Sequence, residues 1–208
     1  MGKAIMKFRF AMFFVLLIGF TSLGNAQESS PDTVVRELYR QVVAKHPFGI
    51  PHGEDRTVIW PLLSRGLIHK LEIAEACERD YSKQQKGREE VHKPEYGWLE
   101  AGIFSGGNEL AAPTDAVVKN TVPRKDGSFL VYVQLEVKES FETYGRPPDP
   151  KNVGHWQIGA IVISEEGRFV IDDVLFFKEN STDIERHLSE WFSRCDGSHW
   201  IGESKRPN

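Results

Sequence analysis

The chain is poor in the residues that advertise chemistry. It has two cysteines, Cys77 and Cys195, in 208 residues and no C-x-x-C pair, which argues against dithiol redox work. No H-E-x-x-H is present for a zinc hydrolase and no G-x-S-x-G for a nucleophile elbow. Ser105-Gly106-Gly107-Asn108-Glu109 is glycine-rich but lacks the lysine and the preceding strand of a phosphate-binding loop. Positive charge is also short: 26 Lys+Arg against 30 Asp+Glu give a formal net charge of −4. No basic stripe interleaved with aromatics occurs, so neither nucleic acid nor anionic lipid is an expected partner. The one long apolar run, Phe10 to Phe20, falls short of the roughly 20 residues a membrane-spanning helix needs. There is no internal repeat, low-complexity segment or interdomain linker.

What is present begins with a leader. Lys3, Lys7 and Arg9 flank the start of the apolar run, and Gly24 and Ala26 are small residues at −3 and −1 of a cleavage site. The pattern predicts a secretory signal peptide over residues 1–26 and one periplasmic or secreted domain over 27–208. The competing reading is a retained membrane anchor, which the short run disfavours. No cysteine follows the run to carry a lipid, and no membrane contact is expected after cleavage. The leader holds three basic and no acidic residues, so its loss leaves the domain more acidic still. Export implies an oxidising compartment. A Cys77–Cys195 disulfide is therefore expected, tying a central helix to a C-terminal one, with two separate buried thiols as the alternative.

Ser30-Pro31-Asp32 opens a first helix, whose stripe of Val34, Leu38 and Val42 ends before Pro47. A short helix is expected over Asp55 to Leu63, then a longer one capped by Ser64 and running to about Lys86. Arg88 to Pro113 reads as a long loop. Thr114 to Val122 reads as a strand, Arg124 to Gly127 as a turn, and Ser128 to Ser140 as a strand alternating Phe129, Val131, Val133, Leu135 and Val137 with polar residues. His155 to Phe177 reads as a hairpin turning at Glu165-Glu166-Gly167, central in the sheet because both faces are apolar. Thr182 and Glu185 form a capping box before Ile184, Leu188 and Trp191, which predicts a last helix.

Helices followed by antiparallel strands is an α+β order. At the segment ending Cys77-Glu78-Arg79-Asp80-Tyr81, the loop Trp98 to Pro113 and the strand Gly167-Arg168-Phe169-Val170-Ile171-Asp172-Asp173-Val174, the chain resembles the NTF2-like cone fold, in particular bacterial secreted NTF2-like domains. The resemblance implies N-terminal helices packed on a curved, mainly antiparallel four-stranded sheet. The C-terminal helix departs from the commonest version of that fold and would cover part of the sheet. The fold hosts enzymes and pure binders alike, so function must come from residues.

Asp172 and Asp173 are the acid candidates. Neighbours on a strand point to opposite faces, so they do not form a proton-sharing pair. With Ser164 opposite Arg168, His155 lies opposite Phe177, too far along the strand to partner either Asp. Tyr132 and Tyr144 are the candidate hydrogen-bond donors of an enzyme site. His52, Glu54 and Asp55 cluster, but read as a turn and helix start and not as metal ligands. The loop Phe141 to Gly154 offers Tyr144 and Arg146 for recognition, and Trp98 and Trp156 offer aromatic surface. If the face carrying Trp156, Ile158, Ala160 and Val162 stays uncovered, it is a homodimer surface. The favoured expectation is an exported, non-catalytic module for a protein or small ligand, without metal or cofactor. The alternative is a small-molecule isomerase, lyase or hydrolase with an acid–base Asp in a cone pocket.

Overall fold

The computed structural model describes residues 30–86, 102–106, 112–138, 149, 151–178, 181–197 and 199–200. The leader, Trp98, Tyr144 and Arg146 lie outside the described residues.

The first helix, α1 (Pro31–Lys45), starts where the sequence says it should. Ser30 Oγ accepts from the Thr33 N–H, Pro31 occupies the first turn and Asp32 faces the helix dipole. It ends at His46, in the left-handed region just before Pro47. A short helix α2 (Gly53–Ile59) runs into a 3₁₀ turn, Trp60–Leu62. Ser64 then caps α3 (Arg65–Gln85), accepting from the Leu67 N–H at 2.9 Å. Five strands follow: β1 (Asp115–Pro123), β2 (Phe129–Lys138), β3 (Val153–Glu165), β4 (Arg168–Phe177) and β5 (Ile184–His187). Each pairs antiparallel with the next in an unbroken meander.

One face of the sheet carries Val131, Val133 and Leu135 of β2, Ile158, Ala160 and Val162 of β3, and Ile171, Val174 and Phe176 of β4. All are buried in one cluster with Val35, Leu38, Tyr39 and Val42 of α1 and Leu67, Leu71 and Ala74 of α3. Each such side chain stabilises the fold by about 1.5–3 kcal/mol relative to exposure. The condition for a dimer through the Trp156 face is not met, because the chain's own helices cover it. Ile103 and Phe104 also belong to this core. The Tyr39 hydroxyl donates to the Phe104 carbonyl at 2.8 Å, and burial holds the Tyr39 phenol far above its ordinary range.

Three expectations are corrected. The sheet has five strands, not four, and among the described residues no α-helix follows Thr182. Ile184–His187 is strand β5 on the edge of β4, and Leu188–Arg194 is a 3₁₀ helix leading to a two-residue ladder of β6 (Cys195–Asp196) with β7 (His199–Trp200). Leu188 and Phe192 are buried, while Ile184 is 46 % exposed. The apolar spacing of three and four residues suits a 3₁₀ turn as well as an α-helix. Finally, the hairpin register is shifted. Glu165 pairs with Arg168, leaving a two-residue turn in which Glu166 (φ 52°) and Gly167 (φ 78°) are both left-handed, as a type I′ turn requires. Asp172 is then an extra residue in β4: Val162 faces Ile171 and Ile161 faces Asp173.

The Cys77–Cys195 disulfide is present, with Cα atoms 6.0 Å apart and a sequence separation of 118. It ties α3 to β6 and not to a helix. Closing so long a loop restricts the unfolded chain by about 4–5 kcal/mol on entropic grounds.

Candidate functional site

The bulge sends the two aspartates to different structural partners. Asp172 accepts from the Ser64 hydroxyl at 2.6 Å, while Ser64 caps α3 and its N–H bonds the Ile171 carbonyl. Asp172 thus joins β4 to the start of α3. Asp173 accepts from the Ser189 N–H (3.1 Å), the Ser189 hydroxyl (2.8 Å) and the Val174 N–H, and its Oδ2 lies 3.1 Å from His187 Nδ1. Sequence reasoning sought a histidine partner for Asp173 and missed His187, because His187 was placed on a helix instead of on the strand beside β4. The arrangement is not a nucleophilic triad. Ser189 bonds the carboxylate and not the imidazole, so the histidine does not activate it. It is a latch that fixes β5 and the 3₁₀ helix to β4.

Tyr132 is equally structural. It stacks on Phe177 with ring centroids 5.7 Å apart. His52 pairs with Glu75 at 3.2 Å and Asp55 with Lys45 at 3.3 Å, which pins α2 to α3 and α1. Arg56 completes that network, contacting Glu72 and Glu75 and lying over the Trp60 ring.

A cleft lies elsewhere, at the end of the sheet. β3 pairs with β2 back to Val153, but β4 meets it only from Ile158 onward. Past Phe177 the chain turns away through Lys178 and Ser181 into β5, where the Lys178 N–H bonds the Asp183 carbonyl. The space left is an open cleft of about 900 Å³, within the roughly 300–1,000 Å³ usual for ligand sites. Its floor is Ser105 and Gly106, held by the Trp156 indole N–H donating to the Ser105 carbonyl at 2.7 Å. Gly106 has φ 73°, and a Cβ there would stand 2.8 Å from the Phe176 ring, so only glycine fits. Phe176 stacks on Trp191 at 4.9 Å, and the Arg186 guanidinium lies over the same indole at 5.9 Å. Gln134, His155 and Gln157 line the opposite side, with Gln134 Nε2 3.3 Å from His155 Nδ1.

Of the candidate catalytic and binding residues that are described, Trp156 lines this cleft, while Tyr132, Asp172 and Asp173 do not. His155, examined only as a partner for the aspartates, lines it too, but sits by Glu136 (3.8 Å) and Gln134. Among the described residues, Lys178 and Arg186 line the cleft without an ion-pair partner, and Glu185 is the one carboxylate in the lining. Such a lining can stack planar or apolar groups and attract an anion. Its acid–base contact among the described residues, His155 with Glu136, is 3.8 Å long, beyond hydrogen-bond distance. Against family models, curated proteins and solved structures, the chain finds no match.

Proposed function

We propose that the protein is an exported, NTF2-like α+β domain that works as a binding module, holding a ligand in the cleft at the end of its sheet without turning it over. The observation that carries this reading is the lining: two tryptophans, two phenylalanines, Lys178 and Arg186 converge there, and the aspartates do not. Support for the NTF2-like class comes from the element order, three helices and then an antiparallel meander folded onto them. Export is supported by the leader-like N-terminus and by a disulfide, which persists in oxidising compartments.

Native mass spectrometry of protein purified unreduced from its export compartment tests the reading. The expected result is a reproducible non-covalent adduct on the wild type that a Lys178→Glu/Arg186→Glu variant lacks. A bare wild-type mass, or the same adduct on both proteins, overturns it. The second reading, an isomerase, lyase or hydrolase using Asp173, draws on the Asp173–His187 contact. It requires Asp173→Asn to abolish turnover of a bound ligand while the ligand still binds.

A further inference from the structure

We infer that the cleft takes an acidic, extended peptide segment of another protein, which adds as a strand to the edge of β3 at Val153–Gln157 that no strand among the described residues pairs. The inference rests on the cleft being the binding site and names what fills it.

Backbone direction comes first. The Thr114 N–H bonds the Glu136 carbonyl, so Glu136 turns its peptide groups toward β1. Peptide groups alternate along a strand, so Leu135 and Val137 turn theirs toward β3 and meet Trp156 and Gly154. His155 and Val153 therefore aim their N–H and C=O groups away from β2, into the cleft side. The hairpin agrees: Glu165 faces Arg168 across a two-residue turn, β3 itself is unbulged, and every second residue back from Glu165 points toward β4. Since β4 stops pairing at Ile158, no strand among the described residues receives the groups of Val153 and His155.

The outer edges of β1 and β4 are guarded or taken, and the remaining edge strand, β5, is only four residues long. β1 carries an extra residue at Lys119 and ends in Pro123, both of which discourage strand addition. The outer edge of β4 is taken by β5 and, at Ile171, by the Leu63–Ser64 segment. The Val153–Gln157 overhang has no proline, lysine or bulge. Its five residues span about 17 Å, enough to pair a short peptide.

Charge selects the occupant. In a chain with a net negative charge, the described charged residues lining this cleft are Lys178 and Arg186 against Glu185, with His155 lying beside Glu136. Trp156 and Phe176 lie on the core face of the sheet and His155 and Gln157 on the other, so a strand alternating apolar and acidic side chains meets both.

The test is a backbone-amide NMR titration of the full, unreduced protein. The probe is an N-acetylated, C-amidated hexapeptide alternating glutamate and valine. Binding is expected to shift the Val153 and His155 amides. Affinity should fall at least tenfold with lysine in place of glutamate, and again when alternate peptide nitrogens are methylated. Lys178→Glu/Arg186→Glu should invert the preference between the two peptides. His155→Pro, which removes an edge N–H without touching the β2 ladder, should abolish binding with the circular dichroism spectrum unchanged. If His155→Pro fails to fold, the charge-reversal variant decides. Equal binding of the lysine peptide, shifts confined to other residues, or a dimer occupying the same amides overturns the inference. An adduct in the native mass spectrum that the glutamate–valine peptide does not displace also overturns it, yet leaves the binding module standing. Absence of both adduct and peptide binding removes both.

Discussion

At the scale of single residues, the polar side chains with the most distinctive surroundings hold the fold together. Tyr39 is the clearest. Its hydroxyl satisfies the Phe104 carbonyl inside the core, so Tyr39→Phe should cost about 1–2 kcal/mol by leaving that carbonyl unpaired. Burial raises the folded-state pKa of Tyr39 above the unfolded value near 10. Its contribution is therefore complete below about pH 10 and is lost as pH rises, by about 1.4 kcal/mol per pH unit, because only the unfolded chain releases the proton. Urea unfolding of wild type and Tyr39→Phe at rising pH should show the wild type losing this extra increment. Parallel curves would contradict the assignment. Asp172 makes the same point about sites. Asp172→Asn weakens its bond to the Ser64 cap and should cost about 1–2 kcal/mol, read from the denaturation midpoint, with ligand affinity in the cleft unchanged. A selective loss of affinity would return Asp172 to the functional candidates.

At the scale of elements, the turn and the cleft floor can each be tested by one substitution. Glu166 sits left-handed in a type I′ turn, so Glu166→Asn should stabilise the protein by about 0.5–1 kcal/mol in thermal unfolding. Its exposed ion pair with Arg65 offsets little of that gain. Gly106→Ala should destabilise, because the added methyl meets the Phe176 ring and the backbone is left-handed. These elements also mark where the sequence was readable. Ser30, Pro31 and Ser64 carry local capping chemistry, and the alternation from Phe129 to Val137 has a two-residue period, so the helix starts and β2 were legible. The bulge at Asp172 was not, because an extra residue in a strand has no local signature when its neighbours are all strand formers. Nor was β5. Ile184, Leu188 and Trp191 satisfy a helical spacing, and only the available edge of β4 and the Asp173 latch decide for a strand and a 3₁₀ turn.

At the scale of the whole molecule, the disulfide was legible because two cysteines behind a leader-like N-terminus allow one intramolecular bridge. Replacing both by serine should lower stability by about 2–5 kcal/mol, and unreduced, denatured wild type should show no reactive thiol. The cleft was largely illegible. It is assembled from Ser105 and Gly106, the first residues of β3, and the segment from Phe176 to Trp191, and it exists only because β3 outruns β4. Trp156 could be picked out as an aromatic on the apolar face of its strand, but Lys178 and Arg186 carry no pattern until the sheet brings them together. The measurement that tests this account most directly needs no ligand: amide hydrogen exchange at four consecutive residues of β3. Gly154 and Trp156 donate toward β2 and should exchange slowly. Val153 and His155 face the open cleft and should exchange faster by orders of magnitude. Equal protection at all four would mean that the edge is already covered, and the cleft could not then receive a strand.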